Sequence, residues 1–515
     1  MPYVVTQSCC ADASCVLACP VNCIHPAPGE PGFATAEMLY VDPKACVDCG
    51  ACATACPVDA VKPHTKLTAG EQPFVALNAA YFDTVDPHLD RTPLALVPAK
   101  RPVEGPLRVA VVGAGPAGMY AADELLKHSG VTVDVFDRLP TPYGLVRAGV
   151  APDHPTTRQV TTLFRHIEGE RGFSYVLGVE VGKDIRHDDL MQRYGAVVYT
   201  VGAATDRTLG IEGEELPGSA SATHFVAWYN GHPDHTEPPV ALDSERAVVI
   251  GNGNVALDVA RILATDPARL ETTDIADHAL EALRASMVRE VVLLGRRGPE
   301  HAAFTLPELI GLAGRTDIDV VVEGELAVTD DKTALLAELA ARPKDPARRR
   351  IVLRFHTSPV RLVGGDRVSG LEVSSGDVIE AGVVLRAIGY RGVPVPDLPF
   401  DEATGTVPND HGRVAPGVYV AGWIKRGPSG FIGTNKTCAE ETVDRIFDDL
   451  EAGLLTTPMR RDLPEHIDLR GWRAIDRLER ETGAAQGRPR VKLTDRAALH
   501  AAATRTRRRG RRRAG

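Results

Sequence analysis

Nine of the chain's ten cysteines lie between Cys9 and Cys56, and only Cys438 stands outside. So many thiols in so short a segment point to metal ligation or to a disulfide framework. The segment is also an internal repeat. Displaced by 37 residues it falls on itself, Cys9 on Cys46, Asp12 on Cys49, Cys15 on Cys52 and Cys19 on Cys56. The words after the last cysteines match as well, Ala18-Cys19-Pro20-Val21-Asn22 against Ala55-Cys56-Pro57-Val58-Asp59. A Pro/Gly-rich loop, Pro26 to Gly32, separates the copies.

The second copy, Cys46, Cys49, Cys52 and Cys56-Pro57, has the C-x2-C-x2-C-x3-C-P spacing and so resembles the bacterial two-cluster ferredoxins. Close-spaced thiolates wrap one cubane while the fourth cysteine reaches the other cluster. That crossing rule assigns Cys46, Cys49, Cys52 and Cys19 to one cluster, and Cys9, Cys15 and Cys56 to the other. Asp12 stands where the second set needs a fourth thiolate. A carboxylate is a harder, weaker ligand there, so this cluster is expected to be [3Fe–4S] or a labile [4Fe–4S], beside a complete [4Fe–4S]. Cys10 and Cys23 are left over, and Cys10 is out of register with the repeat. Paired zinc knuckles space their cysteines more loosely. The start, Met1 to Ser8, has no basic or apolar signal region, and no stretch is apolar enough to cross a bilayer. The expected compartment is the cytoplasm, where thiols stay reduced and disulfides are disfavoured.

The 515 residues suggest about three domains. Two dinucleotide fingerprints supply two of them. Val109 to Val112 reads as a buried parallel strand, followed by Gly113-Ala114-Gly115-Pro116-Ala117-Gly118, a helical pattern from Met119, and a second strand ending at Asp137. Glycines allow the tight turn and the close approach to a pyrophosphate, the helix N-terminus attracts it, and the acid accepts from a ribose hydroxyl. The second fingerprint is Gly251-Asn252-Gly253-Asn254-Val255-Ala256, after the strand Ala247 to Ile250. A later strand ends at Arg296-Arg297 instead of an acid, which suits the 2′-phosphate of NADP(H). Two such sites of different preference imply a flavin and a nicotinamide.

From Leu107 to about Leu493 the chain resembles the adrenodoxin reductase-type ferredoxin–NADP reductases. The motifs are Pro142-Tyr143-Gly144-Leu145-Val146-Arg147 through Asp153-His154-Pro155, then Arg296-Arg297-Gly298-Pro299, Ala303-Phe304-Thr305, and Ala421-Gly422-Trp423 through Ser429-Gly430. The resemblance implies FAD beside Leu145, Trp423 and Gly430-Phe431-Ile432, with Glu308 and Arg207 on the NADP side. His154 and Trp423 are the candidate catalytic residues, His154 having an equal claim as a structural hydrogen-bonding group. With the cysteine segment in front, the whole resembles a bacterial fused ferredoxin/ferredoxin–NADP reductase.

The expected fold is an α+β ferredoxin-like module followed by α/β, doubly wound Rossmann-type FAD and NADP domains. The expected spans are 1–66 for the ferredoxin module, 67–107 for a linker, 108–202 and 387–495 for the FAD domain, and 203–386 for the inserted NADP domain. A disordered basic tail, 496–515, closes the chain. The expected activity is hydride transfer from NADPH to FAD, then single electrons to the clusters. The external acceptor is a small redox protein, a ferredoxin or a cytochrome P450-type system. A disulfide reductase needs a cysteine pair by the flavin, and this region has only Cys438. An electron-input subunit like the glutamate synthase small subunit, or a redox-sensing binding protein, remains as an alternative. Scarce aromatics give no support to a base-stacking nucleic-acid surface, although the arginines from Arg505 to Arg513 form a basic run.

Overall fold

The computed structural model describes residues 2–84, 106–324, 326–456 and 462–511, with side chains except at Thr84 and 505–511. The cysteine repeat is a repeat of backbone as well as of sequence. Helix Ser14–Ala18 of the first copy corresponds to Ala51–Ala55 of the second. The residues held at positive φ correspond too, Ala11 with Asp48, Ala13 with Gly50 and Asn22 with Asp59. Non-glycine residues rarely adopt this region. Here each copy must turn its chain sharply to bring three close-spaced side chains to one point, Cys9, Asp12 and Cys15 in the first and Cys46, Cys49 and Cys52 in the second. The strands interlock the copies: Tyr3–Val5 pairs antiparallel with Val61–Pro63, and Ile24–His25 with Tyr40–Val41.

The connector expected over 67–107 contains ordered pieces in its first half. Pro73–Thr84 is a helix, preceded by the turn Ala69–Glu71. Thr68 and Glu71 cap that turn reciprocally. The helix buries Phe74 against the ferredoxin module and fixes itself through Asn78. The Asn78 amide accepts from the N–H groups of Val5 and Val41 and donates to the carbonyls of Val5 and Phe74. The second half of the connector, 85–105, lies outside the described residues.

Two six-stranded sheets follow. One runs Arg413–Ala415, Val418–Val420, Ala196–Tyr199, Leu107–Val112, Val131–Asp137, Phe173–Leu177, parallel except for its first strand. The other is wholly parallel and runs Ser219–Ser221, Val383–Arg386, Arg246–Ile250, Glu290–Leu294, Arg349–Arg354, Ile318–Glu323. Both are covered on each face, so their central strands are continuous apolar runs. The chain leaves the first sheet through Thr205–Asp206 and returns through Tyr390–Arg391, and these two crossings pair antiparallel as a narrow ribbon.

The C-terminal region is corrected. Arg496–Arg511 is a helix, not a disordered tail. Its residues Leu499, Ala502 and Ala503 are buried in the same core as Trp472 and Ile475 of helix Leu469–Ala484. Side chains of the arginine run lie outside the described ones. Helix Leu469–Ala484 in turn anchors the first reductase motif: buried Glu479 forms a bidentate pair with Arg147 and also bonds Arg490. Replacing Asn78 by Leu should strand four backbone groups and destabilise the ferredoxin module by about 3 kcal/mol. Urea titration followed by visible absorbance of the loaded module measures it. An unchanged midpoint would show that Pro73–Thr84 is dispensable to the module.

Candidate functional site

Both glycine loops have the shape that the fingerprint demands. Gly113 (φ +112°) packs on the Thr200 carbonyl, where a Cβ would come within 2.6 Å. Gly118 meets the Gly113 carbonyl, where a Cβ would stand at 1.9 Å. Gly115 between them faces open space at the N-terminus of helix Pro116–Leu126, which also carries Ala117. The second loop repeats this: Gly251 (φ +124°) lies against the Ala387 carbonyl, and Gly253 faces open space before helix Asn254–Ala264. An open glycine at a helix N-terminus is where a pyrophosphate fits. Asp137, expected at a ribose, accepts from the N–H groups of Ala114 and Leu139 and so shapes the loop from below. Burial raises its pKa despite those bonds.

The motif from Pro142 to Pro155 folds over the first loop. Tyr143 adopts φ +82°, and a Cβ on Gly144 would come within 3.1 Å of Gly115 Cα. Leu145 is left partly exposed beside it. His154 then meets the other domain: His154 Nε2 lies 4.0 Å from Glu308 Oε2, and Asp258 completes a group of three within 4.8 Å. Burial raises the Glu308 pKa, partly offset by His154. The neighbouring Asp153 pairs with Arg261, itself buried, at 2.6 Å. Burial would raise the Asp153 pKa, but Arg261 outweighs it and the carboxyl is held at about 2.

Trp423 opens the short helix Trp423–Arg426, donates from Nε1 to the Ser429 carbonyl at 3.1 Å, and tilts against Tyr390. Gly430 (φ +78°) turns the chain into Phe431, Ile432 and the helix Thr434–Glu451, which packs on Pro116–Leu126. On the other side Asn252 and Asn254 accept from the Ala303 and Thr305 N–H groups, drawing 303–305 onto the second glycine loop, where Val255 begins the first turn. Arg296 and Arg297 are exposed at the end of strand Glu290–Leu294, without an ion-pair partner among the described residues. Arg207 is exposed beside the crossing ribbon, its N–H bonded to Gly389.

The cysteines gather in two sets. Electrostatic contacts join Cys9, Cys15 and Cys56 with Asp12, and join Cys46, Cys49 and Cys52 with Cys19. Burial pushes Cys9 and Cys52 up to about 12 and Cys15 well above the usual thiol range. Such sulfurs ionise beside a cation, and tight sets of soft sulfur donors fit iron–sulfur clusters. The repeat extends to the bonds on sulfur, since Ala60 N–H donates to Cys56 and Cys23 N–H to Cys19. Asp12 is the exception. Its carboxylate accepts from Ser14 N–H at 3.2 Å and Ser14 Oγ at 2.5 Å, tying it to the start of helix Ser14–Ala18.

A 4Fe-4S binding domain matches residues 39–62, and a pyridine nucleotide-disulphide oxidoreductase family matches 107–293. A probable ferredoxin/ferredoxin–NADP reductase of Mycobacterium tuberculosis is 53% identical, over 98% of this chain and 95% of its own. The corresponding protein of Mycobacterium leprae is 51% identical, over 96% of each chain. The chain belongs to the ferredoxin/ferredoxin–NADP reductase family. Among solved structures, Mycobacterium tuberculosis FprA in complex with NADPH is 42% identical and superposes with a TM-score of 0.72, covering 77% of this chain and 99% of FprA. The reductase is thus an oxidoreductase with FAD, NADP(H) and iron–sulfur cofactors. No helix among the described residues is long and apolar enough to cross a membrane.

Two contacts in this reductase had no sequence signal. Gln7 Nε2 donates to Glu308 Oε2 at 3.0 Å, and Gly433 N–H donates to the Cys10 carbonyl at 2.7 Å. Each joins residues far apart in the chain through ordinary residue types. The depressed Asp153 carboxyl carries a pH signature. Its stabilising effect is present above the unfolded value of about 4 and is lost as pH falls through about 2. Asp153→Asn should therefore cost about 3 kcal/mol near neutrality, because Arg261 loses a buried partner. The gap from wild type should narrow as pH falls from about 4 to about 2, read by denaturant midpoints. A gap independent of pH would assign the loss to packing.

Proposed function

We propose that the enzyme takes a hydride from NADPH onto FAD and passes single electrons through its own ferredoxin module to a separate small redox protein. The single observation that carries this reading is the main-chain contact of Gly433 with the Cys9–Asp12 loop, next to the flavin motif Gly430-Phe431-Ile432. FAD, when bound, converts a two-electron donor into a source of single electrons. The chain's own residues bind and align. Gly113, Gly115 and Gly118 admit one pyrophosphate, and Gly251 and Gly253 the other. Arg296 and Arg297 select a 2′-phosphate, with Arg207 lining the same side. Leu145 and Trp423 would flank the flavin, and His154 and Glu308, 4.0 Å apart, would line the nicotinamide side. Alignment of the two rings supplies most of the rate.

The acceptor is taken as a ferredoxin, the partner named for the relatives, with a cytochrome P450-type system as the alternative acceptor. The compartment is taken as the cytoplasm. The Asp12 set is taken to hold a [3Fe–4S] or labile [4Fe–4S] cluster, because Ser14 engages the carboxylate that would replace the fourth thiolate.

Anaerobic titration with NADPH, followed by visible and EPR spectra, tests the route: flavin bleaching should be followed by cluster reduction. Clusters that stay oxidised while the flavin is reduced would refute it. Replacing Arg296 and Arg297 by Ala should raise the KM for NADPH about tenfold each while leaving NADH unchanged. Air-oxidised protein should show a [3Fe–4S] EPR signal, and Asp12→Cys should remove it and raise the iron content. A signal unchanged by Asp12→Cys would place the open iron position elsewhere.

A further inference from the structure

The two ligand sets face opposite surroundings. Cys10, Val58 and Ala60 are buried in the same apolar core as Tyr120, Cys438 and Ala439 of the reductase, and Cys9, Cys56 and Ile432 pack against it. Ala11, Asp12 and Ala13 are buried as well. At this seam a Cβ on Gly433 would come within 2.2 Å of the Ala11–Asp12 peptide, so the two main chains touch without a gap. The Cys46–Cys49 loop has none of this cover from the described residues. Val47 is 58% exposed, and Pro43, Lys44 and Asp48 around it are exposed too. Cys15, Cys19 and Cys52 are buried in a second apolar cluster, which Cys9, Cys46 and Cys56 also pack against and which reaches Leu306 and Ile310 of the reductase.

We infer that the two sets act in a fixed order, with Cys9, Cys15, Cys56 and Asp12 on the flavin side, and that the Val47 loop is the face on which the external acceptor docks. The inference rests on the proposed electron route and adds its direction through the module. Gly433 and the helix behind it cover the Ala11–Asp12 main chain on the flavin side, whereas the exposed ligand among the described cysteines, Cys49, lies on the Val47 loop. The exposed loop offers an apolar centre at Val47 with Lys44 and Asp48 at its rim. That composition suits the small, transient interface of a one-electron carrier protein. The occupant is accordingly a soluble ferredoxin-type protein, not a second copy of this chain or a membrane surface.

Two experiments on the full, cluster-loaded chain test the two halves. For the order, EPR is recorded after anaerobic addition of NADPH and, separately, of dithionite. Cys49→Ser should leave the flavin-side signal reducible by NADPH as in wild type. Cys15→Ser should leave the other cluster reducible by dithionite but not by NADPH. The reverse pattern would overturn the order. For the docking face, Val47→Asp alters only an exposed side chain and keeps the fold. It should lower kcat/KM for an added bacterial ferredoxin about tenfold, as a charge at the centre of a small interface does. NADPH-dependent ferricyanide reduction and the EPR of both clusters should remain as in wild type. Ferredoxin reduction unaffected by Val47→Asp would overturn the docking face. Wild-type clusters that NADPH fails to reduce would instead refute the underlying route, so the two failures are distinct.

Discussion

Gly433 has no room for a side chain because the ferredoxin main chain passes directly over it, and much of the molecule's organisation depends on that approach. The contact is between backbones, with the Gly433 N–H bonded to the Cys10 carbonyl. It therefore fixes the position of the Cys9–Asp12 loop without relying on a rotamer. Two further contacts fix its orientation against the other domain. Gln7 reaches Glu308 across the space left by Gly311, where a Cβ would come within 2.3 Å of the Gln7 amide. Glu37 accepts from the Leu306 N–H at the start of the same helix. One small module thus holds both Rossmann-type units at once. Rotation of those units about the narrow ribbon at Thr205–Asp206 and Tyr390–Arg391 would have to break contacts on one side of the module or the other.

Each of these bonds is individually modest, about 1 kcal/mol net for a neutral pair. Covalent fusion makes modest bonds sufficient, because the module need not be recruited from solution and its effective concentration is set by the connecting chain. A separate partner would need a large apolar interface to repay its lost freedom of motion. The strongest electrostatic ties are kept for places where the reductase itself must stay rigid. Glu479 holds Arg147 under the flavin motif, and Asp153 holds Arg261 where that motif meets the second glycine loop.

What could be read from the sequence was whatever a short stretch of chain determines by itself. The cysteine repeat is visible down to the positive-φ positions, because sulfur spacing, turn and helix start all fall within a dozen residues. The glycine loops are equally local, and Gly115 and Gly253 lie open as the fingerprint requires. What stayed hidden depended on distant partners. Pro73–Thr84 shows no strong amphipathic period, and its position is set by Asn78 bonding strands more than thirty residues away. The final helix was masked by its arginines, while the buried face among its described side chains is Leu499, Ala502 and Ala503. Gln7 and Gly433 belong to common residue types, and nothing near either in sequence indicates the surface it meets.

The asymmetry between the two cysteine sets gains a physical sense from the seam. A thiolate-complete set tolerates exposure, since each iron keeps its soft ligand when water arrives. A set with a carboxylate in one position loses its weakly held iron most readily where water and chelators can reach it. Here Asp12 is 5% exposed and tied to Ser14, beneath the reductase, whereas Cys49 of the other set is exposed. A cluster completed by Asp12 would have that position shielded. The buried Tyr120 hydroxyl lies on that side too, within electrostatic reach of Cys10 and Asp12 and without a hydrogen-bond partner among the described residues. Sequence repeat made the two halves of the module alike, and Asp12 in place of a thiolate made them unequal.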